Sequence, residues 1–140
     1  MMPGALDWHA MTAKLTPYAR SILRIVTAFT FSLHGWQKLF GFFGGLGGHG
    51  ATAHFPTMIW WAGAIEALGG LLFGLGLCTR PVAFVLCGEM AVAYFTQHAP
   101  RGFWPIRNGG EFAILYCFIY LYFATSGAGR WSLDHLRRAA

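Results

Sequence analysis

The sequence predicts an all-α membrane protein, four transmembrane helices in an antiparallel bundle. Three observations lead there. Hydrophobic residues make up 56% of the 140-residue chain and charged residues only 11%, less than half the ~25% of an ordinary soluble domain. Four apolar runs of roughly the ~20-residue spanning length follow one another. The basic residues gather at the ends of those runs rather than in a patch, so the net charge of +5 reads as an orientation signal and not as a nucleic-acid surface.

The first run extends from Pro17 to Phe40, the second from Thr57 to Leu77, the third from Pro81 to His98 and the fourth from Gly109 to Ser126. Lipid forces each to be helical, because unpaired backbone groups are too costly there. Thr16-Pro17 and Arg80-Pro81 place proline at the first helical position. Asn108-Gly-Gly-Glu111 reads as a capping box. The link at Thr79–Arg80 is so short that spans two and three must be antiparallel neighbours. Six glycines between Gly41 and Gly50 predict a mobile or tightly folded loop.

Residues 1–16 form an N-terminal cytoplasmic or interfacial segment in this reading, with Leu6, Trp8, Met11 and Leu15 as its apolar side. Residues 17–127 are the membrane domain and 128–140 a basic cytoplasmic tail. With four spans, Lys14, Arg20, Arg24, Arg80, Arg130, Arg137 and Arg138 share one side, against Lys38, Arg101 and Arg107 on the other. Seven against three puts both termini in the cytoplasm. The first run begins too late, and carries too many ionisable groups, to be a cleaved signal peptide.

Ionisable residues inside spans mark functional sites by default. Arg24, His34, Lys38, Glu66, Glu89, His98 and Glu111 are the candidates for ligand binding or proton exchange. By depth, Glu66 and Glu89 fall near mid-membrane, and His34, Lys38, His98 and Glu111 form an outer group. His34 and Lys38 are spaced i, i+4, which puts them on one helix face, expected to point into the bundle. Each candidate also has a structural reading: a snorkelling Lys38, an interhelical hydrogen bond for His34, an Arg24–Glu66 pair, a cap for Glu111. Gly63, Ala67, Gly70 and Gly74 line one face of span two with small residues, for close helix packing within the bundle or in a homo-oligomer. No HxxxH or CxxC spacing assigns a metal site or a dithiol. Cys78, Cys87 and Cys117 read as small hydrophobes.

The order of short motifs resembles the DoxX family of small four-helix bacterial membrane proteins. The matching pieces are Arg24, Phe31 and His34-Gly35-x-x-Lys38-Leu39, then Phe42, Gly44 and Gly45, and Glu66-x-x-Gly69-Gly70. Gly76-Leu77-x-Thr79-Arg80, His98, Gly102-Phe103, Asn108-Gly109-Gly110-Glu111 and Gly127-x-Gly129-x-x-Ser132-x-Asp134 follow. The resemblance implies a multi-pass protein of the bacterial inner membrane and an oxidoreductase subunit linked to quinone.

On that implication, a buried His/Lys/Glu cluster binds and protonates a quinone or similar small apolar molecule. No covalent cofactor is expected, and the electrons come from a redox partner protein or a soluble reductant. The other readings are a proton-coupled small-molecule transporter and a non-catalytic assembly subunit of a membrane complex.

Overall fold

The computed structural model describes residues 7–139, which places Leu6 outside the described residues. Among the described residues the regular structure is all helical, apart from one isolated bridge in a loop. Its helices are α1 (Trp8–Phe40), α2 (Met58–Leu75), α3 (Thr79–Ala93), α4 (Pro105–Asn108), α5 (Glu111–Ser126) and α6 (Leu133–Ala139). A π-turn over Tyr94–His98 continues α3. The four long helices correspond to the four apolar runs. α1 packs along α2, α3 along α5, and α2 against α3.

α1 starts earlier than the Thr16-Pro17 signal predicts. The Asp7 carboxylate accepts from the amides of His9 and Ala10, both at 3.1 Å, and caps the helix at Trp8. Residues 8–16 are therefore the first turns of α1, and Pro17 lies inside it. The Pro17 carbonyl accepts from Ser21 Oγ at 2.9 Å and from the Arg130 amide at 3.3 Å.

α2 is capped by Thr57 and ends at Gly76, whose φ of +66° is the left-handed turn that closes a helix C-terminus. α3 starts at Thr79, two residues ahead of Pro81. The capping box at α5 is not built as predicted. Glu111 is the first helical residue and exposed. Asn108 instead folds back, accepting from the Gly110 amide and donating to the Gly102 carbonyl, each at 2.8 Å.

The face of α2 bearing Gly63, Ala67, Gly70 and Gly74 is the face that α1 occupies. A Cβ on Gly35 of α1 would lie 2.5 Å from the Ala67 nitrogen and 2.8 Å from the Gly63 oxygen. The close approach is thus internal to the chain. Phe31, Phe73, Leu86, Tyr120 and Phe123 are fully buried between the helices. Phe73 packs edge-to-face on Tyr120 and on Phe123, both with centroids 5.0 Å apart, a geometry that adds about 0.5–1.5 kcal/mol per pair beyond burial.

The outside is as apolar as the core. Ile22, Val26, Phe29, Leu68, Phe84 and Phe118 are all more than half exposed. One described helix, α2, has on length and composition alone the character of a membrane crossing, with 18 residues at mean hydropathy 1.5. α5 is apolar but only 16 residues long. The apolar run within α1 is interrupted by Arg20, Arg24, His34 and Lys38, and the α-helical part of α3 has 15 residues.

Candidate functional site

The two ends of the helix assembly hold different sets of charges. The tail end gathers the α2–α3 turn, the start of α3 and the segment after α5. The buried Arg24 guanidinium donates there to the carbonyls of Ala128, Trp131 and Gly74. These are orphan carbonyls near the ends of α2 and of the chain after α5, of the kind that a cation satisfies. Arg24 is thus far from Glu66, and the expected Arg24–Glu66 pair is not formed.

The Asp134 carboxylate accepts from the amides of Cys78 and Thr79, both at 2.8 Å. The tail so supplies the N-terminal cap of α3 from 55 residues away. Burial pulls the Asp134 carboxyl upward, but those amides and the Arg138 charge outweigh it and hold its pKa below the ordinary aspartate value. The motif order includes Asp134 but assigns it no role. Its signal was present in the short turn at Cys78–Thr79, which carries no acidic residue of its own.

The loop end holds the other set. Lys38, near the end of α1, donates to Oε1 of Glu66 on α2. Glu89 of α3 lies on the same cavity, of about 440 Å³, between α2 and α3. The walls are apolar, with Ile65 and Val85 among them, and Leu46 of the glycine loop closes one side. Glu66 Oε2 and both carboxylate oxygens of Glu89 are buried without a hydrogen-bond partner. A buried carboxylate oxygen left bare costs several kcal/mol, so this arrangement calls for a proton, a cation or a ligand with donor groups.

The glycine loop is tightly folded. Leu46 donates to the Ala51 carbonyl and Gly50 to the Gly44 carbonyl, both at 2.7 Å, and Ala53 donates to the Lys38 carbonyl at 2.7 Å. Gly45 has a φ of +61°, and a Cβ there would lie 2.6 Å from the Ala51 oxygen, so no other residue fits the turn.

The remaining candidates stand apart from the cavity. His34 is exposed, its ring edge-on to Tyr116 at 6.5 Å. It shares α1 with Lys38 but not its partner, because Lys38 packs against α2 at Gly63, one turn from Glu66, while His34 is turned to Tyr116 of α5. His98 bonds the Asn108 carbonyl through Nδ1 at 3.2 Å, fixing the loop ahead of α5. Glu111 is exposed beside it. Of the seven candidates, the fold brings together Lys38, Glu66 and Glu89. Among the described residues no three His, Cys, Asp or Glu side chains converge as metal ligands would. One contact lay hidden in the sequence. Cys87 of α3 and Cys117 of α5 place their sulfurs 3.6 Å apart. Counting depth along antiparallel helices, rather than seeking CxxC in one segment, would have paired them.

Comparison with known proteins agrees with the motif order. A Haemophilus influenzae protein named "Uncharacterized protein" is 48% identical over 126 residues, covering 87% of this chain and 92% of its own length. The Bacillus subtilis protein named "Putative oxidoreductase CatD" is 28% identical over 113 residues, 81% of this chain and 82% of that one. No solved structure matches the chain. The DoxX family model matches residues 19–99, from the tail-end half of α1 through Glu66 and Glu89 to the end of the π-turn. The chain belongs to the DoxX family.

Proposed function

We propose that this protein crosses the bacterial inner membrane four times, with both termini in the cytoplasm, and that the cavity between α2 and α3 receives the head of a lipid-soluble quinone or quinol. The membrane reading is supported by an inside-out distribution. Arg24, Glu66, Ser21, Thr27 and Ser32 are buried while Phe29, Leu68, Phe84 and Phe118 face outward. Water would punish that arrangement and lipid favours it. Helices shorter than the bilayer are accommodated by local thinning or by snorkelling side chains.

The observation that carries the ligand is the lone lysine and the three partnerless carboxylate oxygens on one apolar cavity. A quinone carbonyl accepts from Lys38 or from a protonated Glu89. A quinol hydroxyl donates to Glu89 or to Glu66 Oε2. Each oxidation state thus finds its complement, and Glu89 exchanges the proton that accompanies reduction or oxidation. The electrons come from a partner protein or a soluble reductant. A relative named as an oxidoreductase supports the redox reading.

A second reading has its own observation. Two carboxylates face one lysine, a balance that suits an amphipathic cation and proton-coupled transport.

The test is mass spectrometry of small molecules extracted from protein purified in native membrane discs. Near-stoichiometric quinone is expected in the wild type and in His34→Ala, whose side chain lies off the cavity. It is expected to vanish in Glu89→Gln at unchanged thermal stability. Absence of quinone from all three overturns the reading. Proton-driven flux of an amphipathic cation in vesicles, abolished by Glu66→Gln, then establishes transport, and its absence too leaves assembly of a membrane complex.

A further inference from the structure

Cys87 and Cys117 lie across the α3–α5 seam with their sulfurs 3.6 Å apart. Both are reduced and half-buried, and both pack against the aromatic core. Cys78 is different, standing exposed at the turn before α3. A thiol that merely fills a gap needs no second thiol beside it. Two in contact give a nucleophile and the partner that resolves its adduct, the arrangement on which thiol–disulfide chemistry runs.

Position separates the pair from the cavity. Val85 and Glu89 line the cavity, and Cys87 lies midway between them along α3. At about 100° per residue it points to the opposite side of the helix. Depth is the second constraint. Cys87 is eight residues past the start of α3 and Cys117 nine before the end of α5, about 12–14 Å from the tail end at ~1.5 Å per residue. That is close to the middle of a ~30 Å hydrocarbon layer, where an oxidant must itself be lipid-soluble.

We propose that Cys87 and Cys117 form a two-electron redox couple, a dithiol that a membrane quinone oxidises to a disulfide joining α3 to α5. One sulfur, as thiolate, adds to a ring carbon of the quinone. The second sulfur attacks the first, the S–S bond forms and the C–S bond breaks. The electron pair stays on the ring, and the two thiol protons end on its oxygens, giving the quinol. Closing the sulfurs from 3.6 Å to the ~2.05 Å of a disulfide takes side-chain rotation and a small approach of the two helices. The proposal rests on the membrane placement and quinone chemistry proposed above, and not on occupancy of the cavity.

The experiment uses Cys78→Ser protein in lipid discs, which leaves these two thiols alone. It is exposed to a short-chain quinone, then denatured and labelled with a maleimide, and the labels are counted by intact mass. Two labels before the quinone and none after, with one quinol formed per chain, is the expected result. Cys117→Ser in the same background lacks the resolving thiol and releases no quinol: its one thiol either takes the label or carries the quinone as a stable thioether, seen as the added mass. Quinone bound before treatment is extracted and quantified from the same discs: thiols that oxidise in protein whose cavity yields no quinone, and two surviving thiols beside a filled cavity, tell loss of the cavity ligand and loss of the couple apart. Two labels surviving the quinone overturn the proposal. A parallel treatment with diamide then shows whether the geometry or the oxidant was at fault.

Discussion

The tail end and the loop end of this protein bury the same kinds of charge and treat them in opposite ways. At the tail end, Arg24 meets three backbone carbonyls and Asp134 meets two backbone amides. Of these two charged groups only Arg24 has a buried atom without a partner, its Nε, beside the uncharged hydroxyls of Thr79 and Ser126. At the loop end, Lys38 meets one oxygen of Glu66, and three carboxylate oxygens beside it meet nothing. A cavity opens there, between α2 and α3. Buried charge whose partners lie in the same chain is architecture. Buried charge left partly bare beside open space is held for something that comes and goes.

The largest effect that would test this contrast is Arg24→Met. It strands three carbonyls, and we expect a loss of about 3–5 kcal/mol, read as a fall of roughly 10 °C or more in the thermal unfolding of detergent-solubilised protein. A near-neutral result would break the architectural half of the comparison. Lys38→Met comes next, at about 3 kcal/mol, because it leaves Glu66 charged and alone. Adding Glu66→Gln should restore most of that loss. A double variant as unstable as the single one would mean that the two residues do not act as a pair.

Between the two ends lies the α1–α2 contact. Gly35→Ala pushes a methyl into the α2 backbone and should destabilise by about 2 kcal/mol. Gly88→Ala, where a Cβ meets nothing within 4 Å, should be neutral or gain up to about 1 kcal/mol from helix propensity.

Asp134→Asn weakens the cap on α3 by about 1 kcal/mol. Its pH dependence has a fixed sign. The folded carboxyl ionises below the unfolded one, so its contribution is complete above the ordinary aspartate pKa of about 3.9 and fades as pH falls through the lower folded value. Wild type and Asp134→Asn should therefore converge in stability in acid. The smallest effect belongs to Glu89→Gln. No partner is lost, and stability should stay within about 0.5 kcal/mol while the bound ligand disappears. That dissociation of stability from binding sharpens the comparison most.

Much of this was legible in the sequence. The apolar runs gave the long helices, with three of their starts placed within two residues, and depth counting put Glu66 and Glu89 at one level. The small face of α2 was legible because glycine at helical spacing admits a neighbouring backbone. The start of α1 was not. Asp7 and Pro17 are both sound signals, and only the continuing helix decides between them. His34 and Lys38 were read as one site from spacing alone, but Lys38 meets α2 at Gly63 and Glu66 while His34 is turned to Tyr116 of α5. The role of Arg24 depends on a tail more than 100 residues away, and that of Asp134 on a turn more than 50 residues before it, distances that local pattern cannot span.

The cap on α3 also bears on how the protein is made. Thr79 leaves the ribosome 55 residues before Asp134, so α3 can form only with its first amides unanswered. Arg24 waits longer still, for carbonyls at Ala128 and Trp131. Translation thus delivers the latch last. The helices can form in sequence, yet they are fastened together only when the final stretch of chain folds back across the place where the second and third helices meet.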